Sequence, residues 1–201
     1  MDFDKIYRIR DYRIRWGYSA YECSFLLGKQ DFFFRDAENP LKTKRFNPND
    51  TNYLQLIFQE PLSTFMAPKL EVDMYHLRIS TYPDEKRKPV YDIDIKNQEG
   101  QYQHFKTFAD EEKHVELPTP LTVYSFDKVR TYIDHLLDNS YFNTPRTALD
   151  IFHTCHDHFG PDFHPRNMVR VLNFYMNRKS GVPKLNKEER DEFGRREYRI
   201  L

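Results

Sequence analysis

Apolar residues in the first third of the chain recur at helical spacing and are interrupted by glycine, serine and proline at short intervals. The spacing predicts helices over 3–16, 20–27, 30–38 and 51–58. Gly17 ends the first helix, and Ser19 followed three residues later by Glu22 is typical of a capping box at the start of the second. This region is therefore predicted to be a small bundle of short helices.

Between residues 69 and 117 the period changes to two, which is typical of strands with one buried face. The apolar set moves from even to odd positions between Met74 and Tyr75, and such a shift predicts a β-bulge. Two further strands are predicted over 90–95 and 101–108, with Asp92 and Asp94 on the solvent face. The middle of the chain is therefore predicted to be an antiparallel β-meander.

The helical period returns after Ser125. The pattern predicts helices over 126–137, 145–159 and 165–178, followed by a hairpin within 184–201. Thr144 and Pro145 are typical of the start of the second helix. Three helices followed by a hairpin is the element order of a winged helix. We therefore expect an α+β protein with domains at 1–66, 67–120 and 121–201.

The charge is unevenly distributed, although 31 Lys and Arg balance 31 Asp and Glu. Residues 1–45 carry a net +3, residues 46–142 a net −6 and residues 143–201 a net +3. Because the local field decides whether a phosphate backbone is attracted, the two basic ends are compatible with nucleic-acid binding. The alternative is an ordinary fluctuation of surface charge.

Several features predict a cytoplasmic protein. No apolar run approaches the roughly 18–20 residues that span a bilayer, so we expect no membrane segment. The charged start, Met1-Asp2-Phe3-Asp4-Lys5, lacks the apolar stretch of a signal peptide. Cys23 and Cys155 are far apart inside predicted helices and are interpreted as reduced core thiols.

Gly28 separates the second and third predicted helices, and glycine suits the tight turn of a helix-turn-helix. The chain resembles the Cro/repressor (Xre-like) helix-turn-helix family over about residues 3–58. The resemblance rests on Ile9-Arg10-Asp11-Tyr12-Arg13, Gly17-Tyr18-Ser19, Glu22-Cys23-Ser24-Phe25-Leu26-Leu27-Gly28, and Phe34, Ala37, Glu38 and Asn39, without gaps. It implies that Arg13 pairs with Glu38, which would tie the third helix to the first. The alternative is two unpaired surface charges.

The third helix would face the major groove in this family, but its polar positions depart from the family pattern. Gln30 is the one residue of the type that reads bases. The side chains expected to contact the DNA backbone are Arg35, Asn39, Lys42, Lys44 and Arg45. A second interpretation takes the acidic and aromatic positions as a protein contact, comprising Asp31, Phe32, Phe33 and Asp36.

The last predicted helix has the polar, basic face that the third helix lacks. Its expected outward residues for DNA contact are Arg166, Asn167, Arg170 and Asn173. The hairpin adds candidates for phosphate contact, namely Lys184, Lys187, Arg190, Arg195 and Arg196. The alternative is a helical subdomain with an ordinary solvated face.

We found no arrangement typical of an active site, and we expect no cofactor. A cluster of metal-binding residue types comprises His153, Cys155, His156, His158 and His164. Because the paired knuckles of a structural zinc site are absent, we expect no metal. Carboxylates Asp92 and Asp94 are explained by the solvent face of the meander.

Taken together, the sequence predicts a non-enzymatic, DNA-binding transcriptional regulator. The expected partner is double-stranded DNA. A homodimer is expected because such modules usually bind two half-sites. The alternative is a protein-binding module on a degenerate helix-turn-helix, such as the antidote or adaptor of a toxin or host-defence system.

Overall fold

A computed structural model of the chain describes residues 3–66, 76–109, 124–177, 183–188 and 191–201. This part of the chain contains seven α-helices and two three-stranded antiparallel sheets, which confirms the predicted α+β class. The chain divides into two compact units. The first combines Met1–Met66 with Leu117–Leu201, and the second comprises Ala67–Glu116.

The first unit begins with the predicted helical bundle. Its helices are α1 (Phe3–Arg15), α2 (Ala20–Leu26), α3 (Phe33–Glu38) and α4 (Pro48–Phe58). The Ser19–Glu22 capping box is present at α2. Helix α4 begins three residues before its predicted start because Asn47 and Asp50 form a second capping box ahead of it, with Pro48 in its first turn. Helix α3 begins later than predicted, after a turn in which Phe33 donates its backbone N–H to Gln30.

The second unit contains the meander. Its strands are β1 (Leu77–Pro83), β2 (Pro89–Lys96) and β3 (Tyr102–Ala109), paired in that order. Tyr91 and Ile93 are buried, as the alternation predicted. The register between β2 and β3 shifts by one residue at Ile93/Asp94. The bulge predicted between Met74 and Tyr75 lies outside the described residues.

The rest of the first unit has the connectivity of a winged helix. Its elements are α5 (Phe126–Asp138), β4 (Arg146–Thr147), α6 (Ala148–Phe159), α7 (Pro165–Met176), β5 (Leu185–Glu188) and β6 (Glu197–Ile200). The hairpin β5–β6 was predicted, and β6 lies between β4 and β5 in the sheet. Helix α6 begins at Ala148 rather than at 145 because Thr147 and Asp150 form its capping box. Arg146 and Thr147 are therefore extended and pair with β6.

The first and third predicted domains share one core, which corrects the three-domain division at 1–66, 67–120 and 121–201. Phe25 of α2 packs against Tyr198 of β6, with ring centroids 6.2 Å apart. Tyr18 packs edge-on against Phe152 of α6 at 6.3 Å. Each group of short helices has too little interior to bury its apolar surface alone, and joining them produces a single core.

Candidate nucleic-acid interface

The pair implied for Arg13 and Glu38 is present. Arg13 donates from Nε to Oε1 and from Nη2 to Oε2 of Glu38, both at 2.8 Å. Its Nη1 donates to the carbonyl of Tyr18 at 2.9 Å. Both side chains are buried, so the bidentate pair is held away from water and fixes α3 against α1.

Arg166 is not an outward residue of α7, contrary to the prediction. Its Nε donates to Glu22 Oε1 at 2.8 Å and its Nη2 donates to the carbonyl of Gly17, also at 2.8 Å. Glu22 is buried, and its carboxylate also accepts the N–H of Ser19 in the capping box. Arg166 is therefore occupied as a link between α7 and the start of α2.

The other predicted residues of α7 divide into buried and exposed positions. Asn167 is 7% exposed and cannot contact DNA, which corrects its assignment. Arg170 and Asn173 are exposed as predicted. The guanidinium of Arg170 lies 6.0 Å from the ring centroid of Phe126. Two of the four residues that were expected to read bases therefore remain accessible.

The β5–β6 hairpin lies against the turn between α2 and α3. Arg196 donates its backbone N–H to the carbonyl of Gly28 at 2.9 Å. Gly28 has a φ of +65°, and a Cβ at this position would lie 2.8 Å from Cβ of Arg195. Glycine is therefore required here both by the left-handed backbone and by the close approach of the hairpin.

Arg195 is held within the hairpin rather than presented to a phosphate, contrary to the prediction. Its Nε donates to Asp191 at 2.6 Å, and its guanidinium lies 3.6 Å from the ring centroid of Tyr53 in α4. Arg196 is more accessible and forms a 3.4 Å ion pair with Asp31, whose side chain is 56% exposed. The hairpin thus brings one arginine to the surface beside α3.

The outward surface of α3 differs from the prediction at one aromatic position. Phe32 is 61% exposed, but Phe33 is only 9% exposed because it packs against Phe46. The guanidinium of Arg35 lies 4.4 Å from the ring centroid of Phe32. Gln30 is exposed and Asp36 is half-buried. This surface therefore combines one exposed aromatic ring with charges of both signs.

Basic side chains from both ends of the chain meet beside α3. The ammonium groups of Lys29 and Lys44 lie 5.7 and 5.1 Å from the ring centroid of Phe33. Lys29 also donates to the carbonyl of Phe193 in the hairpin at 3.4 Å. In the hairpin, desolvation and then the charge of Arg196 lower the pKa of Lys187, while Asp31 acts in the opposite direction. Lys29 is set apart because its ammonium forms a 3.1 Å ion pair with the buried Asp50 and only 17% of its side chain is exposed. We call Lys44, Lys187 and Arg196 the basic patch.

Lys187 was predicted as a phosphate contact of the hairpin, and its side chain is exposed. The loop after α3 presents fewer accessible polar side chains than predicted. Asn39 accepts the N–H of Leu41 through its side chain, and Arg45 donates to the carbonyl of Lys44 at 2.6 Å. These two side chains hold the loop together, whereas Lys42 and Lys44 remain exposed.

The polar face of the meander is a surface network. Arg78 donates from Nε to Asp94 at 2.8 Å, and Thr107 donates to Asp92. His104 contacts the hydroxyl of Thr107 at 3.2 Å but lies 3.6 Å from Asp94. The pattern is that of paired charges on a strand surface, as expected for Asp92 and Asp94.

The histidine and cysteine cluster of α6 does not converge on a metal position. In the part of the chain that the structure describes, no three His, Cys, Asp or Glu side chains are grouped to hold an ion. Cys155 points into the core, where burial raises its pKa to about 12. His158 instead stacks on Tyr132.

Comparisons with protein-family models, with curated proteins and with solved structures found no match to this chain. Among the described helices, none has the length and apolar character needed to cross a membrane.

Proposed function

We propose that this chain is a DNA-binding regulator that contacts duplex DNA through α3 and the β5–β6 hairpin. The observation that carries the proposal is the basic patch. The hairpin lies against Gly28 in the turn before α3. As a result, Arg196 and Lys187 from the C-terminal end add to Lys44 from the N-terminal end.

The proposed mode of contact follows from the residue types. Lysine and arginine at the patch would neutralise phosphates, which supplies affinity without sequence selectivity. Gln30 is the exposed residue at the turn before α3 with the donor and acceptor pattern for adenine. We further propose that two copies bind two half-sites, and that the protein acts in the cytoplasm without chemical catalysis.

The test is binding of the full chain to a random-sequence duplex, measured by fluorescence anisotropy at several salt concentrations. We expect binding at about 50 mM salt that weakens steeply as salt rises, because phosphate contacts release counterions. Absence of binding at about 50 mM salt would overturn the proposal, since electrostatic affinity is highest there.

A second candidate function is favoured by Phe32. This ring is 61% exposed beside Asp31, and an exposed aromatic residue next to an acidic one suits a protein partner. In that case Phe32→Ser should abolish association with a co-purifying protein and leave DNA affinity unchanged. A co-purifying protein that binds Phe32→Ser equally well would exclude this surface.

A further inference from the structure

An open groove lies along the outer surface of α5 and the C-terminal end of α6, on elements separate from the basic patch. Its volume is about 570 Å³, within the range of small-molecule sites. The groove is lined by Lys128, Thr131, Tyr132, His135, His158 and Phe159.

The groove has an aromatic wall. The ring of His158 stacks on Tyr132 with centroids 3.8 Å apart and planes within 8°. Phe159 contacts the same tyrosine edge-on at 5.3 Å. The ring of His135 is parallel to Tyr132 but 6.2 Å away, too far for the two rings to overlap fully. The aromatic surface of Tyr132 is thus only partly covered by protein rings.

The tyrosine hydroxyl contributes no charge to the groove. It donates to the carbonyl of Thr154 at 3.4 Å. Burial, followed by the nearby Cys155 and Asp157, raises the pKa of Tyr132. The wall therefore offers an apolar, neutral surface for a planar ring.

One lysine, Lys128, lies beside this wall. The ammonium of Lys128 lies 4.9 Å from the ring centroid of Tyr124 and 5.8 Å from that of Phe159. Among the described carboxylates, none forms an ion pair with Lys128, His135 or His158. The nearby Asp134 is occupied by Lys184, at 2.7 Å. Lys128 supplies an ammonium group here, and the imidazole nitrogens of His135 and His158 are further hydrogen-bonding groups.

We propose that this groove binds a small ligand with a planar ring and an anionic group, of the size of a nucleoside monophosphate. The ring would stack on the surface of Tyr132, a contact available to any base because every base has a π-face. The anionic group would lie against Lys128, with His135 and His158 as further donors. An uncharged ring can only stack on Tyr132, and an isolated anion can only contact Lys128 and the histidines. Each should therefore bind more weakly.

The experiment is calorimetric titration of the full chain with AMP, GMP, CMP and UMP, and separately with adenosine and inorganic phosphate. At least one monophosphate should bind roughly tenfold more tightly than adenosine and than phosphate, since stacking and charge act together. Failure of all four monophosphates to bind at millimolar concentration overturns the proposal. Equal affinity for AMP and adenosine, with no stronger monophosphate, also overturns it.

Variants locate the site. Lys128→Met keeps the aliphatic stem and removes the charge, and should weaken the monophosphate about fivefold to tenfold. Lys86→Met is the matched control, because Lys86 is exposed in the meander turn, and should leave affinity unchanged. Tyr132→Leu should weaken binding of the monophosphate and of adenosine alike, with folding checked by urea unfolding. Unchanged affinity in Lys128→Met places the ligand elsewhere and rejects the site.

Discussion

Helices α3 and α7 each follow a turn and each present polar side chains, but their surroundings differ. Helix α3 has Phe32 exposed, and the basic patch lies beside it. Helix α7 has the more basic sequence, yet Arg166 is bound to Glu22 and Asn167 is buried. The charge pattern of a helix thus indicates which residues need a partner, and tertiary packing decides whether the protein itself supplies that partner.

The same difference explains the role of the hairpin. In an isolated winged-helix domain, the hairpin would be free to contact a ligand next to the last helix. Here it lies against Gly28 and Lys29 in the turn between α2 and α3, and against Tyr53 of α4. The C-terminal elements therefore support α3 and add charge beside it, and the exposed stripe of Arg170 and Asn173 stays outside the proposed contact.

Because the N-terminal and C-terminal helices share one core, they should unfold together. The two buried thiols test this expectation. Cys23 in α2 and Cys155 in α6 are fully buried, and burial raises the pKa of both thiols. At pH 8, labelling of the folded protein should be roughly a thousandfold slower than in urea, because little thiolate is present or accessible. Variants Cys23→Ala and Cys155→Ala report one thiol each, followed by labelling across urea concentrations. Different midpoints would mean two independent domains.

Arg166→Met should be strongly destabilising if α7 is bound to α2. The substitution leaves the buried Glu22 carboxylate without its guanidinium, and loss of one partner of a buried pair costs about 3–5 kcal/mol. Urea unfolding measures the effect. Arg170→Met is the control and should change the free energy of unfolding by less than about 0.5 kcal/mol. The double variant Arg166→Met with Glu22→Gln should be more stable than Arg166→Met alone. If Arg166→Met and the natural chain have the same free energy of unfolding, Arg166 does not link α7 to α2.

Gly28→Ala tests the contact between the hairpin and the turn that joins α2 to α3. The left-handed backbone costs about 1–2 kcal/mol for alanine, and the overlap with Arg195 adds about 1–3 kcal/mol. Gly194→Ala is the matched control, with a φ of +72° but no atom within 4 Å of its added Cβ. Thermal and urea unfolding should show the larger loss in Gly28→Ala. Equal losses would mean that the hairpin does not press on the turn.

The smallest expected effect concerns DNA affinity itself. Lys44→Met should weaken binding to a random duplex about threefold to tenfold near 50 mM salt and reduce the salt slope by about one, as for one lost phosphate contact. Arg170→Met should leave both quantities unchanged. If Arg170→Met weakens DNA binding and Lys44→Met does not, the DNA contact lies at α7 rather than beside α3.

Local sequence was sufficient for most of the elements. The period of apolar residues predicted the helices and the meander, and the Ser19–Glu22 spacing predicted the cap of α2. Missed boundaries also have local causes. The capping boxes at Asn47 and Thr147 set the starts of α4 and α6, and each could have been found from an Asp three residues later. The Arg13–Glu38 pair is present as predicted, and that prediction came from a proposed family resemblance that no family model supports.

Contacts between distant parts of the chain could not be predicted from the sequence pattern. Glu22 and Arg166 are 144 residues apart, and neither helix pattern contains a sign of the other. On a helical wheel, Arg166 has the same polar, outward character as Arg170, because the wheel shows one helix without its neighbours. The sequence thus determined which segments are helical and which faces are polar. Packing of the two helix groups into one core determined which of those polar faces remained in water, because a buried charge must find its partner wherever the fold places it.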